Sequence, residues 1–219
     1  MPSVMVTGAW SNLGQAIVDV FHKEGYTVYG TARTPRQDSR ISRCYALDLS
    51  GEDIAFDGLE ELDVLVNNAG LFTETSIEEF DDDDWHSVFD LNVRGLILVT
   101  KALLPALRRR DGSIVNVSSI NAIHPGFGRT AHYDASKGAV SALTRSLASE
   151  TGLRVNAVQP GLIAREQLSG SDLEAYWKGH SVRASMMDPA DIAQAVLFLA
   201  QSRGIYGQCL TVDNGFTLC

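Results

Sequence analysis

The chain has 219 residues, 45% hydrophobic and 21% charged, with a formal net charge of -9; this is the composition of one ordinary globular domain. Acidity excludes the basic face that nucleic-acid binding needs, and no apolar run approaches the roughly 20 residues of a membrane-spanning helix. The opening MPSVMVTGAW has no basic flank or long apolar stretch, so no signal peptide is read there and a cytoplasmic location is expected.

In chain order, strands are expected at Val4–Thr7, Thr27–Thr31, Arg43–Leu47, Val64–Asn67, Ser113–Val117, Val155–Gln159 and Cys209–Val212. Helical spacing falls at Leu13–Glu24, Asp83–Arg109, Ala131–Glu150 and Pro189–Gln201, with a weaker pattern at Ser171–Gly179. Runs such as VLVN and SIVNV are almost continuously apolar, as in strands covered on both faces. Alternating β and α segments with short connections predict a single-domain, doubly wound, Rossmann-like parallel sheet of about seven strands, with helices on both faces. No linker or repeat divides residues 1–219. The acidic run Asp81–Asp84 precedes the longest helical pattern and reads as helix capping rather than a metal site. Pro105 should kink or end that helix. Cys44, Cys209 and Cys219 are widely spaced and form no CxxC pair; reduced, mostly buried thiols and no metal centre are expected.

The stretch TGAWSNLGQA, Thr7 to Ala16, joins the first strand to the first helix. In an open parallel sheet this turn forms one wall of the ligand crevice. Gly8 permits a sharp bend and Gly14 a close approach. Asn12 stands where a further glycine is expected and is read as the helix cap. Ser11, Asn12 and Leu13 open the helix, whose N-terminus suits a pyrophosphate. Alone, the turn is equally consistent with a plain strand-to-helix connection.

Further motifs follow in order: NNAG at Asn67–Gly70, LNVRG at Leu91–Gly95, IVNVSS at Ile114–Ser119, YDASK at Tyr133–Lys137, NAVQPG at Asn156–Gly161 and IYGQCLTVDNG at Ile205–Gly215. Together with the opening turn they span essentially the whole chain, which resembles the short-chain dehydrogenase/reductase family. That resemblance implies hydride transfer between a nicotinamide cofactor and a carbonyl or alcohol. It implies Tyr133 as acid/base, Lys137 as its partner, Ser119 on the substrate oxygen and Asn92 supporting a water beside Lys137. Four residues separate Tyr133 from Lys137, which puts both on one helix face, and the expectation is that Lys137 together with the cationic nicotinamide lowers the tyrosine pKa from about 10. Ser118 is read as the structural neighbour of Ser119.

The resemblance also implies cofactor contacts at Gly8, Ser11, Asn12, Leu13, Gly14, Asp48, Leu49, Asn68, Ala69, Gly70, Pro160, Gly161 and Ile163, besides Tyr133 and Lys137. NAD-selective folds carry a carboxylate at the end of the second strand; here Ala32 holds that place, Arg33 follows and Arg36 is near. NADP(H) is therefore expected over NAD(H), with Arg33 on the 2′-phosphate. Asp38 would serve the ribose only if the loop were longer. One departure from the family pattern is Arg165, where threonine is common; a pyrophosphate oxygen or an anionic substrate group is its expected partner.

Between Thr31 and Arg43, and again in SGEDIAFDGLEELD, there is no room for the long helices usual in the family, so a more open adenine side is expected. The substrate region, near residues 162–188 together with Ile120–His132, offers His124, Phe127, Arg129, His132, Tyr176, Trp177, Met186 and Met187, either to line an apolar pocket or to pack a lid. Epimerase or dehydratase chemistry, or a non-catalytic cofactor sensor, are the rival readings; the family also implies a homodimer or homotetramer.

Overall fold

A computed structural model describes residues 1–34, 36–51 and 54–219; Pro35, in the loop after the second strand, and Glu52 and Asp53, within SGEDIAFDGLEELD, lie outside the description. Seven strands form one parallel sheet: β1 (Ser3–Val6), β2 (Thr27–Ala32), β3 (Arg43–Ala46), β4 (Val64–Asn67), β5 (Ser113–Val117), β6 (Arg154–Pro160) and β7 (Cys209–Val212), in the order β3-β2-β1-β4-β5-β6-β7. Register puts Met5 between Tyr29 and Leu65. Successive residues then serve opposite faces. Val4, Val6, Val64, Val66, Val115, Val117 and Val158 join one core; Met5, Leu65, Ile114 and Val155 join the other. Both faces are covered, which is why these strands carry no polar alternation.

The first core is closed by α1 (Asn12–Lys23) and α6 (Pro189–Gln201). Ser11, not Asn12, is the cap of α1, its hydroxyl accepting from Gly14 N at 3.0 Å. Asn12 is already helical and its Nδ2 donates to Ala164 O at 2.8 Å, so its job is to hold a distant loop. The long pattern before β5 is divided. It contains α2 (Asp82–Phe89), a π-helical turn over Asp90–Gly95, and α3 (Leu96–Arg109). The acidic run caps α2 as expected, with Asp81 and Asp84 in a reciprocal capping box. The turn's wider radius accommodates a close approach, since a Cβ on Gly95 would lie 2.4 Å from Leu49 O. Pro105 does not end α3, which runs four residues further, to Arg109. It sits on the exposed face, where water can bond the Lys101 carbonyl that the missing N–H leaves free. The remaining helices are α4 (Ala131–Thr151), closed by Gly152 at φ 71°, and α5 (Asp172–Gly179).

Described residues between β2 and β3, and between β3 and β4, form no helix. Tyr45 of edge strand β3 is covered instead by Phe56, edge-on at 5.2 Å. Arg40 pins the preceding loop to α1, bonding Asp38 at 2.7 and 3.0 Å, facing Asp19 at 3.6 Å and reaching the Gln15 side chain. The thiols are less enclosed than expected: Cys44 and Cys209 are half-buried and Cys219 is exposed. Among the described residues no helix is long and apolar enough to cross a membrane, and no cluster of three or more His, Cys, Asp or Glu is placed to hold a metal.

Candidate active site

Strand order reverses between β1 and β4, and the crevice beyond their carboxyl ends is where an open parallel sheet collects a ligand. Gly8 turns the chain there with φ 62°. Gly14 permits the tight return: a Cβ on it would lie 2.3 Å from Gly8 O. Ser11 takes the N–H of Gly14 and its carbonyl that of Gln15. The N–H groups of Asn12 and Leu13, which have no intrahelical acceptor, stay at the open helix end. NNAG braces this turn from β4. Asn68 Nδ2 donates to Thr7 O (2.9 Å), Gly8 O (3.1 Å) and Ser11 Oγ (3.1 Å), while Asn68 N and Ala69 N both donate to Thr7 Oγ1. Thr7, unremarked in the sequence reading, is thus the turn's anchor.

A cleft of about 560 Å³ continues from the turn toward the β3 edge, lined by Gly8, Ser11, Ala32, Arg33, Asp48, Leu49, Asn68, Ala69 and Gly70 among others. Eleven of the sequence-predicted contacts lie here or on the turn itself. Asp48 binds Ser50 N (3.0 Å) and Ser50 Oγ (2.6 Å), and those bonds, with Arg33 opposite, hold its carboxyl below the usual range. Asp38 does not line the cleft; Arg40 holds its carboxyl down at about 2. His86 and Asp90, unforeseen, form the far wall.

The second cluster lies at the ends of β4 and β5. Helix α4 carries a half-buried Tyr133 and a buried Lys137. Lys137 Nζ donates to Val117 O at 2.9 Å and stands 5.7 Å from the Tyr133 ring centre. Burial lowers its pKa to about 8. In the protein alone burial pushes the tyrosine up to about 12, a hydrogen bond with Ser119 offsets part of that, and the Asp134 charge adds to it. Desolvation outweighs the lysine because the ammonium points to Val117 rather than to the phenol. Phe72 packs edge-on against the Tyr133 ring at 4.9 Å.

Asn92 lies in the π-helical turn. Its Oδ1 accepts from Leu71 N at 2.7 Å, and its Nδ2 donates to Leu71 O and Ser136 Oγ. A Cβ on Gly70 would come within 3.2 Å of Asn92 Oδ1 and 3.4 Å of Lys137 Nζ, so both polar ends meet over that glycine. Ser118 points into the core, bonded to Lys137 O and Ser141 Oγ at 2.9 Å each, whereas Ser119 faces Tyr133. The two serines, just past the end of β5, thus point to opposite sides of the chain.

Three further predicted contacts, Pro160, Gly161 and Ile163, lie at and just beyond the end of β6 and are not among the residues that line that cleft. Pro160 pairs with Val212 as the last residue of β6. Gly161 is glycine for Trp177, whose ring would lie 2.4 Å from an added Cβ. Ile163 bridges Met187: Ala164 N donates to Met187 O and Met187 N to Leu162 O, which directs the N–H and C=O of Ile163 to the opposite side.

Four of the eight expected substrate-side residues are engaged elsewhere. His132 is buried on Thr73 Oγ1 at 2.7 Å, Met187 is in the core, and Arg129 pairs with Glu79 at 2.8 Å. Trp177 is fully buried, stacked on Phe216 at 4.1 Å. They look like pocket residues in sequence because aromatic and basic types serve packing as readily as binding. Phe127 and Tyr176 are 42% and 46% exposed and meet edge-on at 5.5 Å, with His124 and Met186 beside the same aromatic cluster. Arg165 is exposed at the start of the loop that Asn12 holds.

A family model described as enoyl-(acyl carrier protein) reductase matches residues 8–217. A 3-oxoacyl-[acyl-carrier-protein] reductase of Thermotoga maritima is 32% identical, with 98% of this chain and 97% of that protein covered. A cyclopentanol dehydrogenase of a Comamonas species is also 32% identical, with coverage of 98% and 96%. Among solved structures, ElxO with NADP bound superposes with a TM-score of 0.86 at 27% identity, covering 100% of this chain and 99% of that one. L-sorbose reductase from Gluconobacter frateurii, complexed with NADPH and L-sorbose, gives 0.83 at 26% identity, covering 98% and 96%.

Proposed function

The chain belongs to the short-chain dehydrogenase/reductase family and is a nicotinamide-dependent oxidoreductase, and from that premise we propose that Tyr133, Lys137, Ser119 and Asn92 act on a small apolar carbonyl, with NADPH preferred to NADH. The observation that carries this reading is the meeting of those four side chains at the ends of β4 and β5. Phosphates of the dinucleotide fit the helix end at Ser11–Gly14, which only glycine at positions 8 and 14 keeps open. Its ribose and adenine fit the cleft between Arg33, Asp48, Leu49 and Asn68–Gly70, and its carboxamide the outward backbone of Ile163 beside Pro160 and Gly161. When bound, the nicotinamide supplies the hydride.

The protein's part is positioning and proton transfer. Ser119 donates a hydrogen bond to the substrate oxygen and holds it at Tyr133. Tyr133, held protonated by burial, gives its proton to the alkoxide as charge develops there. Lys137 stabilises the resulting phenolate once it turns from Val117, and Asn92 fixes the Gly70–Leu71 backbone over which the lysine lies. Lowering of the tyrosine pKa is on this reading a property of the loaded enzyme.

NADPH preference rests on three features: Ala32 presents no carboxylate, Asp38 is committed to Arg40, and Arg33 lines the cleft. The exposed edges of Phe127 and Tyr176 suit a ring-bearing or acyl ketone. Assembly as a homodimer or homotetramer accords with apolar side chains exposed on α3, α6 and β7 (Ile97, Phe198 and Leu210), and light scattering measures it directly. The test of function is a panel of cyclic and acyl ketones followed at the nicotinamide absorbance with each cofactor. Turnover with NADPH that exceeds turnover with NADH supports the whole reading. Equal rates overturn the preference, and no turnover with any carbonyl overturns the assignment of the four residues.

A further inference from the structure

The x position after the tyrosine in YDASK is Asp134, to which neither the sequence reading nor the functional proposal gives a role. Its carboxylate accepts from Asn121 Nδ2 at 2.7 Å through Oδ1 and from Gly126 N at 3.0 Å through Oδ2. A carboxylate only accepts, so the amide nitrogen of Asn121 must face it and the amide oxygen must face away. That oxygen is turned to Ser119, whose hydroxyl donates to it at 3.3 Å while accepting from Asn121 N at 3.1 Å. The site is shaped around these bonds. A Cβ on Gly126 would fall 2.1 Å from Thr130 Oγ1, 2.6 Å from Asn121 Nδ2 and 3.1 Å from Asp134 Oδ1.

We propose that Asp134 is a positioning residue for the hydride-transfer reaction, acting through Asn121 to aim the Ser119 hydroxyl and through Gly126 to seat the loop that carries Phe127. The inference rests on Ser119 binding the substrate oxygen. Two consequences follow from the geometry. The serine proton rests on an acceptor at 3.3 Å, a long and weak bond for a hydroxyl donor, so an incoming carbonyl oxygen displaces it at little cost. The backbone N–H of Asn121 meanwhile occupies a lone pair of the serine oxygen, which fixes its direction and strengthens it as a donor. Because one carboxylate holds both Asn121 and Gly126, the substrate-side loop and the oxygen-binding serine are aligned together on α4, the helix that bears Tyr133.

The test is a double-mutant cycle on kcat with Asp134→Ala and Asn121→Ala. Each single variant should lose about tenfold in kcat with the KM for NADPH within about twofold, and the double variant should lose no more than the worse single. Asp134→Asn keeps one good acceptor and should recover part of the loss; being isosteric, it also carries the cycle if the alanine variant does not fold. Losses that multiply to about a hundredfold in the double variant overturn the proposal, as does an unchanged kcat in Asp134→Ala. A crystal structure of the Asp134→Ala apoprotein reads the same point without turnover: Asn121 Oδ1 should leave Ser119 Oγ, and its retention there sinks the idea. If wild-type protein reduces no carbonyl, the functional reading fails instead, and the crystal structure still decides the positioning role.

Discussion

The two halves of the crevice are built on opposite principles. The catalytic half, at the ends of β4, β5 and β6 under α4, is enclosed and carries its instability inside: Lys137 is a buried cation bonded to a neutral carbonyl, and Tyr133 a half-buried phenol. The other half, at β1, β2 and β3, has no covering helix among the described residues that join β2 to β3 and β3 to β4, and is held by surface contacts around Arg40. One half is costly because polar groups were moved inward; the other is weak because little covers it. Function therefore strains the first half and merely loosens the second, and substitutions should separate the two.

The largest separation is expected at Tyr133. Tyr133→Phe keeps the ring against Phe72 and removes only the proton donor, so kcat should fall about a thousandfold. Dinucleotide affinity, which on the proposed reading rests mainly on the other half, should stay within about twofold by fluorescence titration. A variant that keeps even a tenth of the wild-type kcat would place the acid elsewhere.

Next comes the stability that the buried lysine takes from the apoprotein. Lys137 has a folded pKa of about 8 against an ordinary 10.5, so between those values the unfolded chain binds more protons than the folded one. Stability should rise by about 3 kcal/mol from pH 8 to pH 10.5, the full penalty being present below pH 8. Tyr133 acts in the reverse sense: with its pKa raised from 10 to about 12, its contribution is complete below pH 10 and lost as pH climbs through 12. Denaturant unfolding of Lys137→Met should show the rise between pH 8 and 10 flattened. A rise of wild-type size in that variant would locate the titration at another group.

The half at β1, β2 and β3 should respond more mildly. Arg33→Ala should raise the KM for NADPH about tenfold, which is about 1.4 kcal/mol, and leave that for NADH unchanged. Equal weakening for both cofactors would mean that Arg33 supports the loop rather than the 2′-phosphate.

The same contrast governs how much of the molecule can be read from residues alone. All seven strands fall within one residue of their expected boundaries; the central ones, covered on both faces, leave an unbroken apolar signature, and edge strands β3 and β7 are short β-prone runs. Tyr133, Lys137, Ser119 and Asn92 stand in motifs at strand ends and on helices, so their neighbourhood can be drawn from the order of elements alone. What escaped needed three dimensions. Ser11 and Asn12 are both good capping residues, and only backbone geometry assigns the cap to Ser11. Trp177 reads in sequence equally as pocket lining or as lid packing, and only Gly161 and Phe216 against it decide for packing. That Lys137 bonds Val117 O is equally out of reach, because spacing along a helix reports nearness, not where an ammonium points. Asp134 had one available signal, its place inside YDASK. The partner that gives it meaning lies 13 residues away.

The smallest expected effect is at Arg40, and it tests whether surface contacts really replace a covering helix. Arg40→Ala removes a guanidinium shared by Asp38, Asp19 and Gln15, with side-chain exposures of 29% for the arginine and 13% for Asp38. Partly shielded networks of this kind contribute about 1 kcal/mol, less at high salt. The sign with pH is fixed by Asp38, whose carboxyl Arg40 lowers from 3.8 to about 2. The contribution is thus complete above pH 3.8 and fades as pH falls through 2. Wild-type and variant unfolding free energies should differ at pH 7 and converge near pH 2. Arg33, seven positions earlier on the same loop, should then bind NADPH with a KM about twofold higher, from loop freedom rather than lost contact. A variant indistinguishable from wild type at pH 7 in both measurements would mean that the loop is held by its own packing on Ile41 and Trp10, which sit against the α1 core, and that the clip is ornamental.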